Sequence, residues 1–144
     1  MRICRHVSVI LVIVISTILY ADEKEHKEGL QEILPQFTSA WNKAQVSDFM
    51  ALFHPDSRLK KSYDTDQRMR RYIDMSFAQM FFVFGEVTNS QIRQYIERKR
   101  RFVVQVTYKN KGIIPGTFAV KKYNDKWLID DFNPDGQLEP ELNE

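Results

Sequence analysis

The sequence predicts a single α+β domain in which three N-terminal helices pack on a curved antiparallel sheet of about four main strands. Two patterns carry this prediction. Apolar residues between positions 28 and 84 recur at helical spacing, and residues 101–109 alternate between apolar and polar, as in a strand with one covered face. The roughly 110 residues that follow the N-terminal apolar run suffice for one domain and are too few for two.

The N-terminal segment predicts export. Arg2 and Arg5 precede an apolar run over residues 7–20, and Ala21 is followed by charged residues. This order is typical of a secretory signal peptide, so we expect residues 1–21 to be removed and the protein to be periplasmic or secreted. The alternative is an uncleaved anchor in the inner membrane through residues 7–20, although a spanning helix needs about 20 apolar residues.

Removal of this segment would change the charge and the cysteine content. Without Arg2 and Arg5, 19 basic residues stand against 19 acidic ones, so the net charge gives no reason to expect a nucleic-acid partner. Cys4 is the only cysteine, and its loss leaves no disulfide and no thiolate ligand. We therefore expect neither a metal site nor a cofactor.

The first two helices follow from one apolar stripe and a proline stop. Residues 28–44 carry the stripe of the first helix, and Pro35 predicts either a kink or a helix that starts near Leu34. The second helix is capped by Ser47 or Asp48 and ends before Pro55. The chain then leaves as an extended segment through Leu59.

The third helix is predicted from a capping box and a wide apolar stripe. Residues 64–67 (Asp-Thr-Asp-Gln) are typical of a helix start, and Gly85 is the expected stop. The stripe that should lie on the sheet comprises Met69, Tyr72, Ile73, Phe77, Met80, Phe81 and Phe84.

The turns between the strands predict which residues pair across the sheet. A hairpin through residues 110–112, with Gly112 left-handed, places Tyr108 opposite Ile114, Val104 opposite Phe118 and Phe102 opposite Val120. A two-residue turn at Asn124 and Asp125 then pairs Val120 with Ile129 and Lys122 with Trp127.

Alternation along the last strand places Asp131 on the covered face, opposite Phe118. The strand over residues 87–96 should have Ile92 and Ile96 on one face and Arg93 and Tyr95 on the other. Residues 133–144 are acidic and lack an apolar pattern, so we expect a disordered tail after a domain that spans residues 22–132.

Three segments resemble the NTF2-like superfamily, most closely its SnoaL-like and ketosteroid-isomerase-like branch. They are Ala40-Trp41-Asn42, the run Leu52-Phe53-His54-Pro55-Asp56, and the final strand over residues 127–132. The resemblance covers about residues 28–132. It implies a cone in which a curved sheet wraps the helices and leaves a mainly apolar pocket at its wide end.

The isomerase chemistry of that branch is missing from this chain. In an ungapped alignment through residues 37–61, the oxyanion-hole tyrosine falls on Phe37 and the general-base aspartate falls on Lys61. Phenylalanine has no proton to donate, and a lysine near its ordinary pKa is a poor base.

Asp131 and His54 are the catalytic candidates. A carboxylate on an apolar face could act as an acid or a base in a pocket, and His54 is the only histidine in residues 28–132. A strand end that twists outward, or a basic neighbour such as Arg58, would instead give Asp131 a structural role. His54 beside Pro55 has a similar alternative as a packed residue at a helix end.

Two further groups could bind a ligand or a partner. Aromatic residues that could line the implied pocket are Trp41, Tyr63, Tyr72, Tyr95, Phe118 and Trp127, although aromatic residues in this number are usually core. A basic surface patch is predicted at Arg98, Lys99, Arg100 and Arg101, with Lys109 and Lys111 on a neighbouring turn; such a run is more often a solvated turn.

These patterns favour a non-catalytic domain that binds a small apolar ligand or a protein partner in the cell envelope. One alternative is a SnoaL-like isomerase, lyase or hydrolase built on Asp131 with His54. A second alternative is a dimeric assembly subunit that pairs through the outer face of its sheet, where Val103, Thr107, Ile113 and Ala119 offer a modest apolar surface.

Overall fold

Four helices precede a four-stranded sheet in this chain, for which a computed structural model describes the backbone of residues 3–135 and the side chains of residues 14–135. The helices are α1 (Ile3–Asn42), α2 (Val46–Met50), α3 (Arg58–Thr65) and α4 (Gln67–Phe84), and the strands are β1 (Val87–Ile96), β2 (Arg101–Tyr108), β3 (Gly112–Tyr123) and β4 (Lys126–Asn133). The strands form one open antiparallel sheet in the order β1-β2-β3-β4. The α+β class and the strand number are confirmed, but the described part has four helices rather than three.

The first helix is longer than predicted. It runs without interruption from Ile3 to Asn42, so the predicted alternative of a helix that starts near Leu34 is wrong. Pro35 lies inside it and has no N–H to donate to the carbonyl of Gln31, yet the helix continues. Residues 1–2 of the predicted export signal and residues 136–144 of the predicted tail lie outside the described residues.

Along its length, α1 first meets the sheet near Trp127. The side chains of residues 14–20 are exposed, whereas the His26 ring packs edge-on against the Trp127 indole at 5.1 Å between ring centroids. Gly29 is needed here, because a Cβ at that position would lie 2.3 Å from the indole ring. The helix therefore joins the fold only from about His26 onward.

The starts of α2, α3 and α4 differ from the prediction. α2 follows Gln45 without a side-chain cap. Ser57 accepts a hydrogen bond from the Lys60 amide at 3.2 Å and starts α3, where an extended segment was predicted. Asp66, rather than Asp64, caps α4. Gly85 ends α4 with a φ of +74°, as predicted.

The hairpin register between β2 and β3 differs from the prediction by two residues. Tyr108 pairs with Gly112 and Phe102 pairs with Phe118, because Gly112, at φ +74°, already belongs to the ladder. A two-residue shift keeps each side chain on its face. Between β3 and β4, Val120 pairs with Ile129 and Lys122 with Trp127, as predicted.

A shared interior forms on one face of the sheet. The largest fully buried side chains are Trp41, Tyr108, Phe37, Phe53, Phe102, Phe118, Leu30, Ile33, Met50, Ile129, Val104 and Val106. Trp127 is partly buried and packs against this cluster. The prediction that Phe102, Phe118 and Trp127 face one common core is confirmed.

Residues outside the sheet bond to both of its edge strands. The Asn42 amide donates to the Val87 carbonyl and accepts from the Val87 N–H, at 3.0 and 2.8 Å. On β4, the Ile129 amide donates to the Leu52 carbonyl, and the His54 amide donates to the Ile129 carbonyl. The segments Ala40-Trp41-Asn42 and Leu52–Asp56, on which the family resemblance rests, therefore include residues that hold the sheet edges.

Candidate functional site

The position where a pocket was predicted is filled with aromatic rings. Phe37 contacts Phe118 and Phe132 at 5.2 Å between ring centroids, and the Trp41 ring lies 5.1 Å from that of Phe77. The Trp41 indole N–H donates to the Gly85 carbonyl at 2.9 Å. Trp41 and Phe118, predicted to line a ligand pocket, are fully buried parts of the core.

Asp131 lies on the outer face of the sheet, which corrects its predicted orientation. β4 contains a bulge: Val120 pairs with Ile129, but the next β3 residue, Ala119, pairs with Asp131. Asp130 is the extra residue, and it reverses the alternation beyond it. The Asp131 carboxylate binds the Arg101 guanidinium at 2.5 Å, with both side chains partly exposed.

The bulge turns Phe132 inward in place of Asp131. Its ring lies 4.7 Å from Phe118 and 5.2 Å from Phe37. A register shift in β1 also reverses the alternation of its side chains. Ile92 pairs with Val104 on one side of the shift, and Tyr95 pairs with Phe102 on the other. Ile92 and Tyr95 therefore share the core face, contrary to the prediction.

His54 is occupied by its own turn. It is 3% exposed, and its Nδ1 accepts a hydrogen bond from the Asp56 amide at 3.0 Å. The Tyr123 ring packs edge-on against it at 5.3 Å between ring centroids. No contact in the described residues joins His54 to Asp131, so these two side chains do not form a pair.

The remaining predicted ligand-binding residues lie in separate places. Tyr63 is buried under the Arg70 guanidinium, 4.7 Å from its ring centroid. Tyr95 is half-buried against Phe102, and Tyr72 is 65% exposed on α4.

Trp127 lies beside a small polar cluster that joins the sheet to α1. The Lys122 ammonium lies 5.1 Å from the Trp127 ring centroid and binds the Glu25 carboxylate at 2.7 Å. His26, which was not among the predicted site residues, packs edge-on against the same indole. These contacts attach α1 to the β3–β4 hairpin, so the geometry gives Trp127 a structural role.

The predicted basic patch is divided. Arg98 and Lys99 lie in a 3-10 turn, Arg100 follows with a φ of +48°, and Arg101 is paired with Asp131. Lys109 and Lys111 lie at the other end of β2, roughly 25 Å away by strand length. The prediction that these two groups lie on neighbouring turns is wrong.

Two depressions on the described surface are open grooves. The larger, of about 470 Å³, lies between α1 and β1 and is lined by Lys27, Gln31, Leu34, Pro35, Thr38, Ser90, Gln91 and Ile92. The second, of about 460 Å³, lies between α1 and α2. Among the described residues, no group of three or more histidine, cysteine, aspartate and glutamate side chains could hold a metal ion.

The outer side of α4 carries large apolar side chains that contact water. Phe82 is 85% exposed, Tyr72 65% and Met75 64%, and Val83 and Met69 are partly exposed beside them. The opposite side of the same helix buries Ile73 and Phe77 in the core. The prediction that Met69 and Tyr72 face the sheet is therefore wrong.

The sequence contained a signal for this outer face. Tyr72, Met75, Gln79 and Phe82 follow one another at steps of three, four and three residues, which keeps them on one side of a helix. The prediction of one wide apolar stripe on this helix did not separate the two faces. The clearest candidate surface on this chain is therefore one that was missed.

Tyr108 has a buried hydroxyl without a hydrogen-bond partner in the described residues, and burial raises the pKa of its phenol well above the ordinary value. We expect Tyr108→Phe to leave the free energy of unfolding unchanged or to raise it by up to about 1 kcal/mol, because an unsatisfied buried group costs stability. Urea denaturation checks this, with Tyr123→Phe as the exposed control. A loss of more than about 1 kcal/mol contradicts it.

Comparison with known proteins assigns no family to this arrangement. Neither the models of known protein families nor the curated proteins give a match to this chain. In the part of the chain that the structure describes, no helix is long enough and apolar enough to cross a membrane.

Proposed function

We propose that this chain is an exported, non-catalytic interaction domain of the NTF2-like type, which binds a protein partner in the cell envelope through the outer face of α4. The observation that carries the proposal is the exposure of Phe82, Tyr72 and Met75 on a single helix face. Exposed apolar surface of this kind marks an interaction site, because water contact with large apolar side chains is unfavourable.

The contacts of the catalytic candidates support a binding role rather than an enzymatic one. Asp131 is neutralised by Arg101 on the outer face of the sheet, and the Nδ1 of His54 is engaged by the Asp56 amide. A general acid or base must reach a bound substrate, and these two side chains lie at separate positions with other partners. The filled aromatic core also leaves Trp41 and Phe118 unavailable to a small ligand.

The envelope location and the NTF2-like assignment rest on the sequence. The basic start and the apolar run over residues 7–20 support export. The order of helices before a four-stranded antiparallel sheet is compatible with an NTF2-like domain. A small apolar ligand remains the second candidate, because the groove between α1 and β1 includes Leu34 and Ile92.

Site-specific photocrosslinking in the cells that make the protein tests this proposal. A benzophenone side chain at position 82 should give a covalent adduct with a protein, whereas the same group at position 113 should give none. Ile113 is the matched control, because it is an apolar residue 62% exposed on a strand of the sheet. Adducts at position 113 without any at 82 would support the sheet-paired assembly subunit instead.

A further inference from the structure

We propose that the partner of the α4 outer face is a second copy of this chain, bound with the two helices antiparallel; this inference rests on the proposed function. The face presents Arg68, Tyr72, Met75, Gln79 and Phe82 at alternating steps of four and three residues. All five are exposed. This spacing is that of the contact positions in a two-helix coiled coil.

This row of five exposed side chains is complementary to the same row on a second helix that runs in the opposite direction. An antiparallel pair centred near residue 77 places Tyr72 of each copy against Phe82 of the other, and Met75 against Gln79. The same register brings Arg68, in the first turn of α4, to the C-terminal end of the other helix, which ends at Phe84 and is followed by Gly85 and the exposed Glu86. One rotation axis therefore pairs ring with ring and cation with anion.

The end charges select the antiparallel orientation. Arg68, Arg71 and Glu86 are exposed, and none of them forms an ion pair with another described residue. In a parallel pair, Arg68 and Arg71 would meet their own copies and repel them. In the antiparallel pair, they lie at the end of the other helix that precedes Glu86, where the helix dipole is negative, and the two dipoles also oppose each other favourably.

The area suggests a weak dimer. Most of the surface of Phe82, Tyr72 and Met75 is exposed to water. Val83 is 44% exposed and Met69 is 38% exposed. With about 150–250 Å² for each aromatic side chain, two copies would remove roughly 1,000 Å² from water, the lower limit of a specific interface. We expect a dissociation constant of roughly 1–100 µM.

A lipid surface fits this face less well. An interfacial helix carries its cations along the borders of the apolar face, where they meet anionic head groups. Here the exposed arginines lie in the first turns of α4, whereas Phe82 and Val83 lie in its last turn. The positive charge is therefore confined to the N-terminal end of the helix, and does not follow the borders of the apolar face. An antiparallel second helix fits this distribution.

Sedimentation velocity of the purified chain, from about 1 to 200 µM, tests the pairing. The natural chain should form a dimer as its concentration rises. Phe82→Asp should weaken association at least 100-fold, because it places a carboxylate against Tyr72 at both ends of the pair, while Phe82→Leu should retain it. Ile113→Asp, an equal change on the sheet, should have no effect.

The charge pairs test the orientation. Arg68→Glu and Glu86→Arg should each weaken the dimer roughly tenfold, because each converts two attractions into two repulsions. The double variant Arg68→Glu/Glu86→Arg should restore it, since the antiparallel pair regains both attractions. A parallel pair would remain repelled at both ends, so failure of the double variant to recover overturns the antiparallel assignment.

The remaining outcomes separate this inference from the proposed function. A chain that stays monomeric to 200 µM, but forms adducts with a different protein at position 82, overturns the second copy and retains the interaction domain. Association insensitive to Phe82→Asp would show that another surface forms the contact and would overturn the pairing. Binding to anionic phospholipid vesicles that Phe82→Asp abolishes would overturn both in favour of a membrane surface.

Discussion

Replacement of Phe37 by alanine is expected to lower the free energy of unfolding by about 3–5 kcal/mol, the range for a large side chain removed from a closed core. Phe37 is fully buried, and its ring contacts Trp41, Phe49 and Phe118. A cavity lined by these apolar rings should stay dry, so both the transfer energy and the contacts of the surrounding rings are lost. Urea denaturation followed by far-UV circular dichroism measures the change.

The matched control is Phe82→Ala at low protein concentration. It removes the same atoms from a side chain that is 85% exposed, and we expect the free energy of unfolding to change by about 0.5 kcal/mol or less. The loss for Phe37→Leu should lie between those for Phe82→Ala and Phe37→Ala. A cost below about 1 kcal/mol for Phe37→Ala would mean that the core can collapse around the missing ring, and would contradict the packing described above.

The second large effect is expected at the bulge in β4. Phe132→Ala should lower the free energy of unfolding by about 2–4 kcal/mol, because the Phe132 ring packs against Phe118 and Phe37. The neighbouring change Asp131→Ala should cost no more than about 1 kcal/mol, since it removes a partly exposed ion pair with Arg101. Both values come from the same denaturation experiment.

The order of these two costs is the informative result. In a strand that alternated regularly through residues 129–132, Asp131 would face the core and Phe132 would face water. Asp131→Ala would then be neutral or stabilising, and Phe132→Ala would be nearly silent. Such a result would contradict the bulge at Asp130 and return a carboxylate to the interior. Phe37 and Phe132 are in contact, so their costs should not add.

Periodicity predicted the central part of the fold correctly. The alternation of residues 102–108 and the two-residue turn at Asn124 placed the right side chains on the core face, and Gly85 and Gly112 took the positive φ expected of them. These are local signals, since each depends on neighbours in sequence or on the conformation that glycine permits. The register error between β2 and β3 did not affect the faces, because it was an even number of residues.

The candidate catalytic site could not be predicted in the same way. The position of Asp131 depended on whether β4 contained an extra residue, and alternation gives no information about a bulge. The helix formed by residues 58–65 and capped by Ser57 was predicted as extended, because a short polar helix has little apolar pattern. The cap at Ser57 and the bulge in the β3–β4 ladder decided these two outcomes.

The sequence by itself determined that helices precede an antiparallel sheet and that Phe102, Phe118 and Trp127 share one interior. Tertiary structure alone decided that Phe132 rather than Asp131 completes the core, and that one side of α4 remains uncovered. The physical reason is that side-chain direction within an element follows the local backbone repeat. Which of two apolar helix faces becomes buried depends on the shape and area of the surface against which it packs.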